Sequence, residues 1–222
     1  KNSNDILSEI IKSGKKIYGV NTGFGKLSSV SIDKKDIKEL QLNLVRSHAA
    51  GVGKPFDFGV TRLVMFLKLL TWTRGFSGVS PKLSTLLLNM LNHDILPIIP
   101  RQGSVGASGD LAPLSHLACS LIGEGDVRFQ DRIMPSVIAL KETNLNPISL
   151  GAKEGLSLIN GTQVSTALAI KSLHEAQKLL FSADIISALT VEASLSSRDV
   201  FKPAIHKLKK HKGQIVSATN VF

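Results

Sequence analysis

Apolar positions recur three and four residues apart along most of the chain. That spacing predicts helices over about Ile6 to Lys12, Lys34 to Gly51, Val60 to Arg74, Pro81 to Asn92, Asp110 to Ile122 and Val137 to Thr143. Helical spacing then continues, with interruptions, from Ala152 through Lys210. Gly123-Glu124-Gly125 followed by Val127, Phe129 and Ile133 predicts a small strand or hairpin over residues 126–134. The fold expected is therefore mostly α, with a core of helix packed on helix. No internal repeat and no low-complexity linker sets off one domain from another, so residues 1–222 read as one lobe leading into a set of long helices.

Composition narrows this only a little. With 222 residues and 43% hydrophobic content the chain can bury a substantial core. Its one cysteine, Cys119, falls on the apolar side of a predicted helix, which excludes an intrachain disulfide and suits a buried structural thiol. Asp184 and Glu192 interrupt the best candidate for a membrane helix, and Lys1 opens no signal-peptide pattern, so a cytoplasmic protein without a membrane partner is expected. The net charge is +10, and half of it comes from Lys202, Lys207, Lys209, Lys210 and Lys212, a run with no acidic residue. With one Trp, one Tyr and scattered Phe there is little aromatic interleaving, so the run reads as a solvated helix face and no nucleic-acid partner is expected.

The chemistry is concentrated in GSVGASGDLAPLSH, from Gly103 to His116. Here Ala107-Ser108-Gly109 stands between a glycine-rich loop and a helix start, with Asp110 as the expected N-cap and Pro113 in the first turn, where a missing amide proton costs little. If the Gly109 nitrogen attacks the Ala107 carbonyl carbon, a five-membered ring closes with loss of one water. Elimination of the Ser108 hydroxyl as a second water leaves an exocyclic methylene. The product, 4-methylidene-imidazol-5-one, is an electrophile that ordinary side chains do not provide. The positive end of the following helix dipole favours the negative charge that grows when a nucleophile adds to it. An isolated Ala-Ser-Gly, by contrast, is usually a loop before a capped helix.

Three further blocks accompany that segment in order: YGVNTGFGKL from Tyr18 to Leu27, SHAAGVG from Ser47 to Gly53, and KEGLSLINGTQ from Lys153 to Gln163. Together the four resemble the aromatic amino acid ammonia-lyase family along nearly the whole chain. The resemblance implies a fumarase/histidase-like helical fold, present here incompletely, and an autocatalytic 4-methylidene-imidazol-5-one made from Ala107, Ser108 and Gly109. It implies removal of ammonia from an amino acid to give an α,β-unsaturated acid, with Tyr18 taking the β-proton. The Ser47-His48 pair resembles the histidine-specific members, which implies L-histidine or a related aromatic amino acid as substrate, urocanate as the histidine product, and His48 against the substrate ring. Asn160 matches an active-site asparagine of the family. Family members are homotetramers and considerably longer, which implies that the remaining site residues lie outside this chain.

Taken alone, these residues leave other readings open. A lone Tyr18 beside a loop serves packing, His48 at a helix end is most often structural, and Asn160 before Gly161 marks a helix break or caps the next helix. Phosphate-loop chemistry is excluded because Val20 stands where the first glycine is required and Leu27 replaces the hydroxyl residue. A serine-hydrolase elbow would need glycine at Asp110, and His93, His116, His174, His206 and His211 lack metal-ligand spacing, so no metal is expected. The rival readings are a tyrosine ammonia-lyase or aminomutase with the same prosthetic group, and a noncatalytic helical assembly module. The start at Lys1 without methionine and the stop at Phe222 read as a fragment, expected by itself to hold an uncyclised tripeptide and no lyase activity.

Overall fold

The computed structural model describes residues 2–23, 25, 30–33 and 35–222, in two compact units of residues 1–168 and 169–222. The first unit contains α1 (Asn2–Lys12), α2 (Ile37–His48), α3 (Phe58–Thr73), α4 (Pro81–Asn92), α5 (Leu111–Leu121), α6 (Ser136–Glu142), α7 (Glu154–Ile159) and the opening turns of α8 (Gln163–Ala193). Helix α5 is the centre of its core. Leu114, Leu117, Ala118 and Leu121 are fully buried there, and α2, α4, α6 and α7 all pack around it. Each such leucine contributes roughly 1.5–3 kcal/mol of burial. Cys119 shares this environment, and burial pushes its thiol up to about 11, as suits an unreactive core residue.

Local chemistry sets the helix ends. Asp57 accepts from the Val60 amide to start α3, and Ser80 accepts from Leu83 ahead of Pro81 to start α4. Helix α2 is shorter than its apolar spacing predicts, because Ala49, Ala50 and Gly51 leave it after His48, and Lys34 lies outside the described residues. The interrupted helical stretch after Ala152 resolves into α7 and α8 with the break at Asn160-Gly161-Thr162.

Two small sheets complete this unit. β1 (Val52–Pro55) pairs antiparallel with β3 (Pro100–Gln102), and β2 (Leu96–Pro97), β4 (Asp126–Phe129) and β5 (Arg132–Pro135) form a three-stranded sheet in the order β2-β4-β5. The predicted hairpin is thus present, turned by Gln130 and Asp131, both at positive φ. The β1-β3 pair was not foreseen, since Gly53, Pro55 and Pro100 are poor strand formers.

In the second unit, the remainder of α8 leads through a 3₁₀ turn (Arg198–Phe201) to α9 (Pro203–Lys209) and α10 (Lys212–Val221), the last not anticipated from the sequence. Along α8, Leu173, Leu179, Leu180, Phe181, Ile186 and Leu189 are exposed, as are the five lysines between 202 and 212. No helix among the described residues is long and apolar enough to cross a membrane.

One member of the buried face of α3 is charged. Lys68 is 1% exposed, and its Nζ donates to the Ser157 carbonyl at 3.2 Å. Desolvation lowers its pKa to about 7, against the opposing pull of Asp110. Since the folded value lies below the unfolded one, the unfolded chain binds more protons between about pH 7 and pH 10, and stability rises with pH across that window. Lys68→Met should flatten the rise and stabilise the fold near neutrality by on the order of a few kcal/mol, measured by urea unfolding at a series of pH values.

Candidate active site

Ala107 and Ser108 are exposed on the loop between β3 and α5, while Gly109 is buried with φ +123. The reason for glycine at this position is a close backbone approach. A Cβ on Gly109 would lie 2.6 Å from the Gly161 oxygen and 2.8 Å from its nitrogen, so no other residue fits without parting the two segments. The next amide, Asp110, donates to that same Gly161 oxygen at 2.8 Å. The tripeptide is therefore seated on the break between α7 and α8.

Asp110 corrects one expectation. It occupies the N-cap position of α5, but its side chain makes no capping bond to that helix. Its carboxylate turns to α8, where Oδ2 accepts from the Ser165 amide at 2.8 Å and Oδ1 accepts from the Ser165 hydroxyl at 2.6 Å and from Ser104 at 2.8 Å. Asp110 is 1% exposed, and these charge-assisted bonds offset the cost of burying a carboxylate. A cap read as local thus joins the loop before the tripeptide, the helix after it and the first turn of α8.

Asn160 ends α7. Its φ/ψ of −89/116 leaves the helix, its amide donates to Leu156 at 2.9 Å, and its side chain is exposed. It immediately precedes Gly161, the residue whose backbone meets Gly109. Of the two uses open to it, helix break rather than buried cap is the one observed.

His48 is the last residue of α2 and is half-buried. Its Nδ1 lies 2.9 Å from the Leu44 carbonyl and 3.1 Å from the Ser47 hydroxyl. The segment that follows is held on both flanks of the tripeptide. Gly51 donates to His116 Nε2 at 3.0 Å, and a Cβ on Gly103 would lie 3.0 Å from the Gly51 Cα. Burial lowers the His116 pKa, consistent with its neutral, accepting role.

Tyr18 is 55% exposed in a turn, with the Gly25 amide 3.5 Å from its hydroxyl. Phe24, Lys26 and Leu27 of its sequence block lie outside the described residues. The turn that carries Tyr18 connects to the other candidate residues at one remove. Gln41, fully buried in α2, donates to the Gly19 carbonyl at 3.5 Å and accepts from the Leu156 amide at 3.2 Å, bridging the tyrosine turn to the helix that ends at Asn160. Sequence reasoning missed Gln41. The signal was present: it is a polar residue at the core spacing of Ile37, Leu44 and Val45.

Comparison with known proteins fits this arrangement. Histidine ammonia-lyase of Aliivibrio fischeri strain MJ11 is 46% identical over 216 residues, covering 97% of this chain and 42% of the relative. The crystal structure of histidine ammonia-lyase from Trypanosoma cruzi superposes with a TM-score of 0.91 at 35% identity, covering 99% of this chain and 43% of that one. Tyrosine aminomutase from Streptomyces globisporus gives 0.92 at 40% identity, covering 100% and 42%. The chain thus spans less than half the length of these proteins, and its histidase-like helical fold is correspondingly partial. The family model described as aromatic amino acid lyase matches residues 1–222, and the chain belongs to that family.

Proposed function

We propose that this chain is part of an ammonia-lyase that converts L-histidine to urocanate and ammonia, with Ala107-Ser108-Gly109 as the precursor of 4-methylidene-imidazol-5-one. The observation that carries the proposal is the backbone contact of Gly109 with Gly161, which fixes a buried glycine while leaving Ala107 and Ser108 exposed. The residues fit the group: Gly109 has no Cβ to hinder its nitrogen, and the exposed Ser108 hydroxyl can leave as water. Once formed, the group supplies the electrophile of the reaction.

The surrounding residues have separate tasks. Tyr18 takes the β-proton of the substrate. Asn160, exposed beside the junction, donates from its amide nitrogen to the substrate carboxylate and accepts from the amine through its oxygen. His48 hydrogen-bonds the polar ring of the substrate through Nε2, its Nδ1 being engaged by the Leu44 carbonyl and the Ser47 hydroxyl. The N-terminus of α5 directs its dipole at the tripeptide and stabilises negative charge there. The exposed apolar positions of α8, among them Leu180, Phe181 and Ile186, support a homotetrameric parent that covers them.

Measurements on a chain of the relatives' full length test this reading. Its intact mass should be two waters below the encoded mass, and Ser108→Ala should remove nearly all lyase activity with the helical content kept; an encoded mass in an active enzyme would refute the proposed prosthetic group. His48→Leu should lower kcat/KM for histidine by the worth of one buried hydrogen bond, ~1–3 kcal/mol or roughly 5- to 150-fold, with little change in stability. Turnover of tyrosine in preference to histidine would instead favour the tyrosine reading, because a histidine side chain hydrogen-bonds a phenol as well as an imidazole. Finally, His116 accepts from Gly51 only when neutral, and its folded pKa lies below the ordinary value, so the unfolded chain takes up its proton first as the pH falls. Stability contributed by that bond is present above about pH 6.5 and lost on acidification. His116→Gln, which keeps an acceptor, should remove this acid sensitivity in thermal melts while largely preserving KM.

A further inference from the structure

Gly161 is held on two sides. Its oxygen and nitrogen lie against Gly109, and the place of its missing side chain is taken by the amide of Gln163: a Cβ on Gly161 would lie 2.3 Å from Gln163 Oε1 and 2.9 Å from both Cδ and Nε2. Gln163 is the first residue of α8 and is 7% exposed. The orientation of its amide is set from α3. There the Thr71 hydroxyl donates to the Leu67 carbonyl at 2.9 Å, which leaves its oxygen free to accept, and Gln163 Nε2 donates to it at 3.1 Å. Oε1 is thereby turned toward Gly161, where it is buried and, among the described residues, accepts no hydrogen bond. A buried acceptor without a donor is unfavourable. Methionine would fill the same space without that cost, so packing alone does not account for an amide at this position. What the amide has and methionine lacks is the bond to Thr71.

We infer that Gln163 is a positioning residue for the tripeptide, with Thr71 as its tether. The bond to α3 keeps the amide against Gly161, and the amide keeps Gly161 against Gly109. With the tether cut, Gln163 is free to take other rotamers, Gly161 has room to recede, and the Gly109 nitrogen is no longer held in one place relative to the Ala107 carbonyl. Ring closure depends on that placement, so its rate falls while the fold remains. The consequence for ring closure rests on the function proposed above. The consequence for the seat does not, because the Asp110 amide, which donates to the Gly161 oxygen at 2.8 Å, reports on it directly.

Two readouts test the inference. In the 222-residue chain, hydrogen exchange at the Asp110 amide should be about tenfold or more faster in Thr71→Val and in Gln163→Met, with core amides of α4 such as Leu87 unchanged, and should stay at the wild-type rate in Thr71→Ser, which retains the hydroxyl. In a chain of the relatives' full length made by cell-free synthesis, the appearance of protein two waters lighter, followed by intact mass, should slow by about tenfold or more in the same two variants and not in Thr71→Ser. Thr71 is exposed, so Thr71→Val serves if Gln163→Met does not fold. Wild-type exchange at Asp110 in Thr71→Val, an acceleration shared equally by Leu87 or by Thr71→Ser, or an undiminished rate of mass loss in a variant whose Asp110 exchange has risen overturns the inference. A wild-type full-length chain that never loses two waters refutes the prosthetic group instead, and exchange at Asp110 then decides this inference by itself.

Discussion

The site depends on one backbone contact, the seating of Gly109 against Gly161. Two chain segments about fifty residues apart meet there without side chains between them, and the Asp110 amide locks the meeting by donating to the Gly161 oxygen at 2.8 Å. The Asp110 carboxylate then extends the lock to Ser104 on one side and Ser165 on the other. A buried carboxylate with three good donors is stable where it stands; one donor, the Ser104 hydroxyl, is on the loop before the tripeptide, and two, the amide and hydroxyl of Ser165, are on α8. Helix α5 supplies the rigid base, because its whole inner face is buried in the core.

Other fixed points follow from this one. His116, in the second turn of α5, receives the Gly51 amide and so holds the segment after His48. Gln41 joins the Tyr18 turn to α7, the helix that delivers Asn160. Each link is a backbone group met by a polar side chain, buried at Gln41 and half-buried at His116, a kind of bond that sets position but adds little net stability. Such a frame would suit the ring closure proposed for the tripeptide, which depends on orientation more than on the strength of any single contact.

Much of the frame was legible from spacing. The helices α3, α4 and α5 follow their apolar repeats to within two residues, Ser80-Pro81 announces its own helix start, and the hairpin at residues 126–135 follows from the glycines before it and the alternation within it. The parts that were not legible are nonlocal. Asp110 looks like the cap of the helix it precedes, and nothing in its neighbours says that its carboxylate will serve α8 instead. Strands β1 and β3 contain prolines and glycine that argue for loop, and they pair only because α5 and its loop bring them together. Lys68 reads as an ordinary surface lysine among the apolar residues of α3, although it sits at a core position between Met65 and Trp72. The family itself was legible in four blocks, but the physical reason those blocks converge is visible only in the folded chain.

If the Gly109–Gly161 seat is what holds the tripeptide to α8, then forcing it apart must loosen both sides at once. Gly109→Ala does this with one methyl group, and residue-resolved amide hydrogen exchange reads the result. The amides of Asp110 and Ser165, which donate to the Gly161 oxygen and to the Asp110 carboxylate, should lose protection together, while core amides of α4 such as Met90 keep theirs. Unchanged protection at Ser165 in a variant that exposes Asp110, or unchanged protection at both, would contradict this account of the site.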